Sequence, residues 1–311
     1  MAAAMPISQF LEDRYLPIFS AGCSPRTLRA YRDSVARFVE IAGDLPIGEI
    51  AVDHLAAFKA ARSARSRRNR PTAAATVNKD LRHVLAVLSK AGPPGPRNRD
   101  ALGLLDRAPW TRPLREPRRL PRVPDRATIG EAYKAAAYAA QPAGYAFTPA
   151  AWWRALIVAA LTLGFRRAAL LSLRWEWIDV AANSVRLPAE YDKCLCEREK
   201  PINAVAMRHM LAIRTGTGPL VFPWPLSGRS LDRHFARFQQ IGGVSAPITL
   251  HALKRACGTL YAEGGNPWIV QQMLDHASIQ TSKHYINASA SLKAAADALK
   301  LPAAFSQEVN A

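Results

Sequence analysis

The chain has 311 residues and 49% of them are hydrophobic, which suffices for two domains with cores of their own and excludes a globally disordered protein. Lysine and arginine number 42 against 24 acidic residues, so the formal net charge is +18. An excess of this size predicts a polyanion as the partner, and a nucleic acid is the expected one.

The cysteines and the apolar runs exclude other classes of protein. The four cysteines have neither paired C-x-x-C spacing nor the neighbouring histidines of a zinc site, and they fit a reducing compartment. The longest apolar run, residues 155–165, is too short to span a bilayer, and the N-terminus lacks the pattern of a signal peptide. We therefore expect a cytoplasmic protein with no membrane segment, no metal and no other cofactor.

Residues 7–91 have the apolar periodicity of short helices. One helix is predicted to begin at Ser24-Pro25, a capping serine followed by a first-turn proline, and to end at Gly43. Two more are predicted in VDHLAAFKAARSAR and TAAATVNKDLRHVLAVLSKAG. The pattern indicates a small helical domain over residues 1–111.

A dense run of arginines lies between the last two of these helices. Five fall within nine residues, at Arg62, Arg65, Arg67, Arg68 and Arg70. Like charges at this density repel one another unless an anion neutralises them, so we predict that these side chains contact the phosphates of a nucleic acid. The alternative is a solvated loop that only keeps the protein soluble.

Proline then becomes frequent, with eight prolines between residues 93 and 124. Proline at this density opposes regular structure and favours an extended, semi-rigid segment. We predict a linker over residues 112–124, in which Arg118 and Arg119 add further phosphate contacts, and a second domain over residues 125–311.

The second domain is predicted to combine helices with a small sheet. Pro149–Gly164 has the composition of a buried helix, and its Trp152 and Trp153 are expected to pack in the core rather than stack on bases. Short strands are predicted between Asn183 and Val205, on either side of the segment YDKCLCEREK. The predicted fold class is mainly α with a small β-sheet.

Basic, imidazole and phenol side chains recur at defined spacings in this domain. Arg166 follows a glycine at the start of a predicted helix, where backbone N–H groups favour anions. His251 and Lys254 are three residues apart and project from one helix face. His276 and Tyr285 follow, nine residues apart, in LDHASIQTSKHY. These spacings are consistent with five side chains around one phosphate.

The segments LTLGFRRAALLSLRW and H-A-L-K, then LDHASIQTSKHY, resemble the signature of the tyrosine recombinases, or phage integrases. The resemblance implies an N-terminal helical core-binding domain and a C-terminal α+β catalytic domain. It also implies double-stranded DNA as the partner, and site-specific cutting and rejoining as the activity.

The resemblance assigns a role to each matching residue. Tyr285 would attack a phosphodiester and form a 3′-phosphotyrosyl intermediate. The charged transition state would be stabilised by Arg166, His251, Lys254 and His276. The lysine that protonates the leaving 5′ oxygen would be Lys193 in the predicted turn, with Lys200 as second choice.

Two positions depart from the family pattern. Ala169 stands where the family usually has glutamate, and Lys254 stands where it has a second arginine. Lysine keeps the positive charge but loses the two-pronged grip of a guanidinium. The alternative function is therefore a catalytically attenuated DNA-binding protein on the same fold.

The alanine-rich stretch after Tyr285 has high helix propensity. By the resemblance, Ser289–Leu299 would dock on a neighbouring protomer and give a tetramer on paired DNA sites from a chain that is monomeric in solution. A tail packed on its own protomer is the alternative.

Overall fold

The computed structural model describes residues 4–64, 66–67, 70–117, 123–192, 194–216, 218–263 and 266–275, with residues 66, 67, 70 and 267 by their backbone alone. The chain divides into two compact units, Met1–Arg119 and Leu120–Ala311. Within the described ranges, every helix is too short or too polar to cross a membrane.

The first unit is built from short helices. They are α1 (Ile7–Phe10), α2 (Leu16–Phe19), α3 (Pro25–Ala42), α4 (Val52–Ala64) and α5 (Ala74–Ala91), with a π-helical turn at Leu11–Tyr15. Helix α3 begins and ends as predicted, because the Ser24 side chain accepts a hydrogen bond from Thr27 N and Gly43 ends it with a φ of 87°. An antiparallel hairpin of β1 (Ser66–Arg67) and β2 (Arg70–Pro71) separates α4 from α5.

Arg62 lies inside this unit and not on its surface. It is 8% exposed, and its guanidinium donates to Asp80 Oδ2 from Nε at 3.1 Å and from Nη2 at 2.6 Å. Asp80 is fully buried and also accepts a hydrogen bond from Ser34. A buried carboxylate needs such partners, because an unpaired charge in the interior is costly. Arg62 therefore joins α4 to α5, which corrects the predicted phosphate contact for this one arginine.

Residues 101–117 have no helix or strand, yet they are part of the first unit and are hydrogen-bonded to its helices. Asn78 Nδ2 donates to Leu114 O at 2.9 Å, and Leu114 N donates to Asn78 Oδ1 at 2.8 Å. Lys59 Nζ donates to Thr111 Oγ1 at 2.8 Å. The first part of the predicted 112–124 linker thus lies against this unit, and residues 118–122 are outside the described ranges.

The second unit combines helices with one small sheet. Its helices are α6 (Arg126–Ala135), α7 (Pro149–Leu163), α8 (Arg167–Ser172), α9 (Ala204–Leu211), α10 (Gly228–Ile241), α11 (Leu250–Ala262) and α12 (Pro267–Leu274). The strands β3 (Ile178–Asp179), β4 (Ser184–Leu187) and β5 (Arg198–Pro201) pair antiparallel in the order β3-β4-β5. The predicted class, mainly α with a small β-sheet, is confirmed.

Helix α7 is the centre of the second core. Thr148 caps it by accepting a hydrogen bond from Ala151 N at 3.2 Å. Trp152 and Trp153 are fully buried, and Trp153 stacks on Phe235 of α10 with ring centroids 5.1 Å apart. The predicted core role of both tryptophans is confirmed. Because α7 also packs against α9 and α11, its C-terminal end is held firmly where α8 begins.

Candidate active site

Residues 164–166 form a tight turn between α7 and α8, called here the Arg166 turn. Gly164 has φ 61° and ψ 14°, the left-handed conformation that ends many helices. Phe165 is buried, and Arg166 is the N-cap residue of α8 with 34% of its side chain exposed. The guanidinium therefore reaches solvent from a turn anchored in the core.

A buried carboxylate that the sequence analysis missed faces Arg166. Asp192 is 5% exposed, and its Oδ1 lies 3.4 Å from Arg166 Nη1. Its Oδ2 lies 3.5 Å from Arg198 Nη2 and accepts a hydrogen bond from Cys194 N at 3.2 Å. Ala169, where the family has glutamate, is buried in the core. An acid from the segment between β4 and β5 thus orients Arg166.

His251 lies in the first turn of α11, which the side chain of Thr249 caps. The imidazole is exposed, and its pKa is lowered by partial burial and by the cationic Arg255, Lys254 and Arg166. A pKa below the ordinary value leaves the ring neutral near pH 7 and able to accept a proton. Lys254, three residues further along α11, donates to Gly164 O, so this part of α11 lies beside the Arg166 turn.

Lys254 is buried, with 6% of the residue exposed. Its Nζ donates to Leu274 O at 2.9 Å and to Gly164 O. Burial lowers the pKa of Lys254 to about 8, and the neighbouring Lys200 acts in the same direction. The ammonium that the resemblance assigns to a phosphate is therefore engaged by two main-chain carbonyls in the interior.

Lys200 of β5 is also buried, with 3% exposed. Its Nζ donates to Leu163 O at 3.1 Å, to Met273 O at 2.6 Å and to Asp275 Oδ2 at 2.9 Å. These bonds use all three N–H groups of an ammonium, so none is left for a leaving oxygen. Lys200, the second choice for the proton donor, is thus a buried residue whose hydrogen bonds connect β5 to the ends of α7 and α12.

The other predicted residues are not placed by side-chain contacts. Outside the described ranges lie Lys193, His276, Tyr285, Arg65, Arg68, Arg118 and Arg119. Arg67 and Arg70 belong to β1 and β2, where only the backbone is described. Chain connectivity puts Lys193 directly after Asp192. In the described part of the chain, His, Cys, Asp and Glu side chains form no group of three that could hold a metal ion.

A basic surface lies on α10, next to the Arg166 turn. Arg229, Arg233 and Arg237 are exposed and follow one another at intervals of four residues, which places them along one side of the helix. Arg167, the first residue of α8, forms an ion pair with Asp232 of α10. This pair joins the start of α8 to the N-terminal half of the basic helix.

The sequence of the second unit matches a known family. The phage integrase family profile matches residues 135–291, slightly more than half of the chain. Tyrosine recombinase XerC of Chlamydia caviae is 33% identical over 69 residues, a match that spans 22% of this chain and 22% of that protein.

Solved structures share the fold over about nine tenths of the chain. A lambda integrase dimer bound to a COC′ core site has a TM-score of 0.66 at 20% identity, covering 89% of this chain and 76% of the integrase. The Tn1549 transposon integrase in complex with circular intermediate DNA has a TM-score of 0.66 at 16% identity, covering 90% of this chain and 95% of that one. At such identities the likeness shows the fold alone, but the profile covers more than half of the chain. The chain therefore belongs to the phage integrase family of tyrosine recombinases.

Proposed function

We propose that the protein is a site-specific DNA recombinase that cuts and rejoins DNA through a 3′-phosphotyrosyl intermediate on Tyr285. The observation that carries the proposal is the bond from Lys254 to Gly164 O, which holds the N-terminal half of α11, with His251, beside the turn of the carboxylate-oriented Arg166, all within the residues that the family profile matches. One group is suited to bind an anion and the other to accept a proton.

Arg166 is suited to bind the scissile phosphate. Asp192 holds one side of the guanidinium, while a third of the side chain faces solvent. A guanidinium oriented in advance donates to the non-bridging oxygens as negative charge builds up in the transition state. Asp192 would thereby orient Arg166 in a chain that has Ala169 where the family pattern has glutamate.

His251 is suited to be the general base. Its neutral imidazole would take the phenolic proton of Tyr285 as that oxygen forms a bond to phosphorus. The bond from phosphorus to the 5′ oxygen breaks in the same displacement, and Lys193 would donate the proton that the leaving oxygen needs. His276 would add a hydrogen bond to the phosphate.

DNA binding is supported by the charge of the chain and by its exposed arginines. The α10 side chains Arg229, Arg233 and Arg237 would contact phosphates beside the cleavage site. We propose further backbone contacts by Arg65, Arg67, Arg68, Arg70, Arg118 and Arg119. Binding of this kind weakens steeply with salt, because each neutralised phosphate releases counterions.

We propose that the active assembly is a tetramer on paired sites, formed in the cytoplasm from monomers. A lambda integrase tetramer bound to a Holliday junction has a TM-score of 0.66 at 19% identity to this chain, covering 91% of it and 77% of the integrase. The tail at residues 289–299 would dock on the neighbouring protomer. Deleting residues 290–311 is expected to abolish assembly on two sites; a truncated chain that still pairs two sites would refute docking between protomers.

The test of the chemistry is covalent capture on nicked DNA. In duplexes with a randomised core and a nick a few nucleotides to the 3′ side of each possible cleavage position, the short fragment that carries the freed 5′-hydroxyl diffuses away, so that an adduct accumulates. We expect wild-type protein to form an adduct that survives denaturation, and Tyr285→Phe to form none. Sequencing the captured strands then gives the recognised site.

An attenuated DNA-binding protein is the second candidate, and the buried Lys254 favours it. With its ammonium bonded to two carbonyls, the position that usually supplies a second arginine offers no guanidinium to the phosphate. Tight binding to DNA selected from the same pool, with no adduct from the wild type, would establish this alternative.

A further inference from the structure

Two helix ends meet beside the Arg166 turn. The C-terminal cap residue of α7 is Gly164, with φ 61°, and that of α12 is Asp275, with φ 56°. The last carbonyls of a helix have no partner within the helix and carry its partial negative charge. Two such ends placed together repel each other unless cations or N–H donors lie between them.

Two lysines from other elements lie between these ends, and we call them the lysine bridge (Lys200 and Lys254). Lys200 donates to Leu163 O at 3.1 Å and to Met273 O at 2.6 Å. Lys254 donates to the next carbonyl of each helix end, Gly164 O and Leu274 O, the latter at 2.9 Å. Each ammonium therefore binds one carbonyl from α7 and one from α12.

The backbones of the two ends are themselves in contact. A Cβ built on Gly164 would lie 2.7 Å from Met273 O and 3.1 Å from Leu274 Cδ2. Only a residue without a side chain permits this approach. The lysine bridge thus joins two helix ends, those of α7 and α12, whose backbones are already in close contact.

The charge of the bridge is only partly compensated. Asp275 accepts from Lys200 at 2.9 Å, and its other oxygen lies 3.6 Å from Arg198 Nε without forming a hydrogen bond. Two ammonium groups thus share one buried carboxylate. Replacing buried charged groups of this kind by apolar side chains of similar volume often costs no stability. What apolar side chains would not supply is a fixed distance between four carbonyls.

We propose that the lysine bridge positions the Arg166 turn against the end of α12, and that Lys254 acts through these carbonyls and not through the scissile phosphate. The inference rests on the proposed recombinase function. Arg166 lies two residues after Gly164, and Asp275 directly precedes His276 in the chain. Lys200 and Lys254 are therefore positioning residues that set how two segments of the active site face each other.

The test compares three substitutions at Lys254, with DNA affinity and the single-turnover rate of adduct formation measured separately. Lys254→Met removes both carbonyl bonds, and we expect the rate to fall about 100-fold, the effect of a misplacement near 1 Å, with DNA affinity within about threefold of wild type. Lys254→Gln restores two N–H donors without the charge, on a side chain that is one bond shorter. Its rate of adduct formation should be about tenfold higher than that of Lys254→Met. Lys254→Arg should be slower than wild type, because a larger group must fit between the same carbonyls.

A contact between Lys254 and the scissile phosphate predicts a different order of rates. Arginine would then match or exceed wild type, while glutamine would be no better than methionine, and this result would overturn the proposal. A folded Lys254→Met that keeps the wild-type rate would overturn it as well. Lys134→Met is the matched control, since Lys134 is exposed on α6 of the same unit, and it should change neither affinity nor rate.

Two further measurements keep the proposal testable. If Lys254→Met does not fold, Asp275→Asn removes the carboxylate partner of Lys200 at equal size, and its rate should fall with affinity retained; an unchanged rate would count against the bridge. If the wild type forms no adduct, the proposed function fails by itself. Amide exchange of residues 164–168 then decides: faster exchange in Lys254→Met than in Lys134→Met supports the bridge, and equal exchange refutes it.

Discussion

Replacing Gly164 by alanine tests the close contact between the ends of α7 and α12 directly. The added Cβ would lie 2.7 Å from Met273 O and 3.0 Å from Cys257 Sγ, and the residue would keep a φ of 61°. The left-handed conformation costs a residue with a Cβ roughly 1–2 kcal/mol. Forcing a methyl group against backbone in a packed interior costs roughly 1–3 kcal/mol more. We expect Gly164→Ala to lower the free energy of unfolding by about 2–5 kcal/mol.

Gly243→Ala separates the two contributions. Gly243 has a φ of 68°, close to that of Gly164, but nothing lies within 4 Å of its Cβ position. This variant should lose only the backbone contribution, about 1–2 kcal/mol. Urea unfolding followed by tryptophan fluorescence measures both losses of stability. Trp110 is the one tryptophan outside residues 120–311, so the signal reports mainly the second unit. Equal losses in the two variants, within about 0.5 kcal/mol, would refute the close contact.

Three further predictions concern charged groups. Asp192→Asn should slow adduct formation about 10–100-fold without weakening DNA binding, because Arg166 loses the carboxylate that orients it. Asp80→Ala should destabilise the first unit by roughly 3–5 kcal/mol in calorimetry, because Arg62 is left buried and unpaired. Lys254 has a folded-state pKa of about 8, so between about pH 8 and its ordinary pKa of 10.5 the unfolded chain binds more protons. Stability should therefore rise with pH by about 3 kcal/mol over that window, and Lys254→Met should lose this rise.

The Asp80 prediction has a matched control, and each of the other two has an outcome that would contradict it. Asp33→Ala removes an exposed acid from α3 of the first unit and should change stability by less than about 0.5 kcal/mol; a loss equal to that of Asp80→Ala would contradict the buried pair. An adduct rate unchanged in Asp192→Asn would show that Arg166 is oriented by other contacts. A pH profile that is identical in wild type and Lys254→Met would show that Lys254 titrates normally.

Local signals in the sequence determined the helices and the class of fold. Ser24-Pro25 and Gly43 bound α3 because the cap and the left-handed stop act within a few residues, and the same holds for Thr148 and Gly164 around α7. The resemblance to the family likewise lies in short segments, around Arg166 and from His276 to Tyr285, in which several residues match at fixed spacing.

Burial and partnership were decided by the tertiary structure alone. In the sequence Arg62 stands among four neighbouring arginines, yet its partner Asp80 comes from another helix. Asp192 carried no signal beyond standing next to a predicted turn lysine, and its importance follows from Arg166, 26 residues away in sequence. Such pairings depend on which elements pack together, and no local pattern contains that information.

Lys254 shows most clearly what the sequence determines and what the tertiary structure decides. Its place three residues after His251, and its departure from arginine, can be read directly from the chain. The direction of its ammonium is set by carbonyls that lie 90 and 20 residues away in sequence. The sequence determined that a lysine occupies this position. The meeting of the ends of α7 and α12 decided which carbonyls its ammonium binds, because hydrogen-bond partners are selected by distance in space and not along the chain.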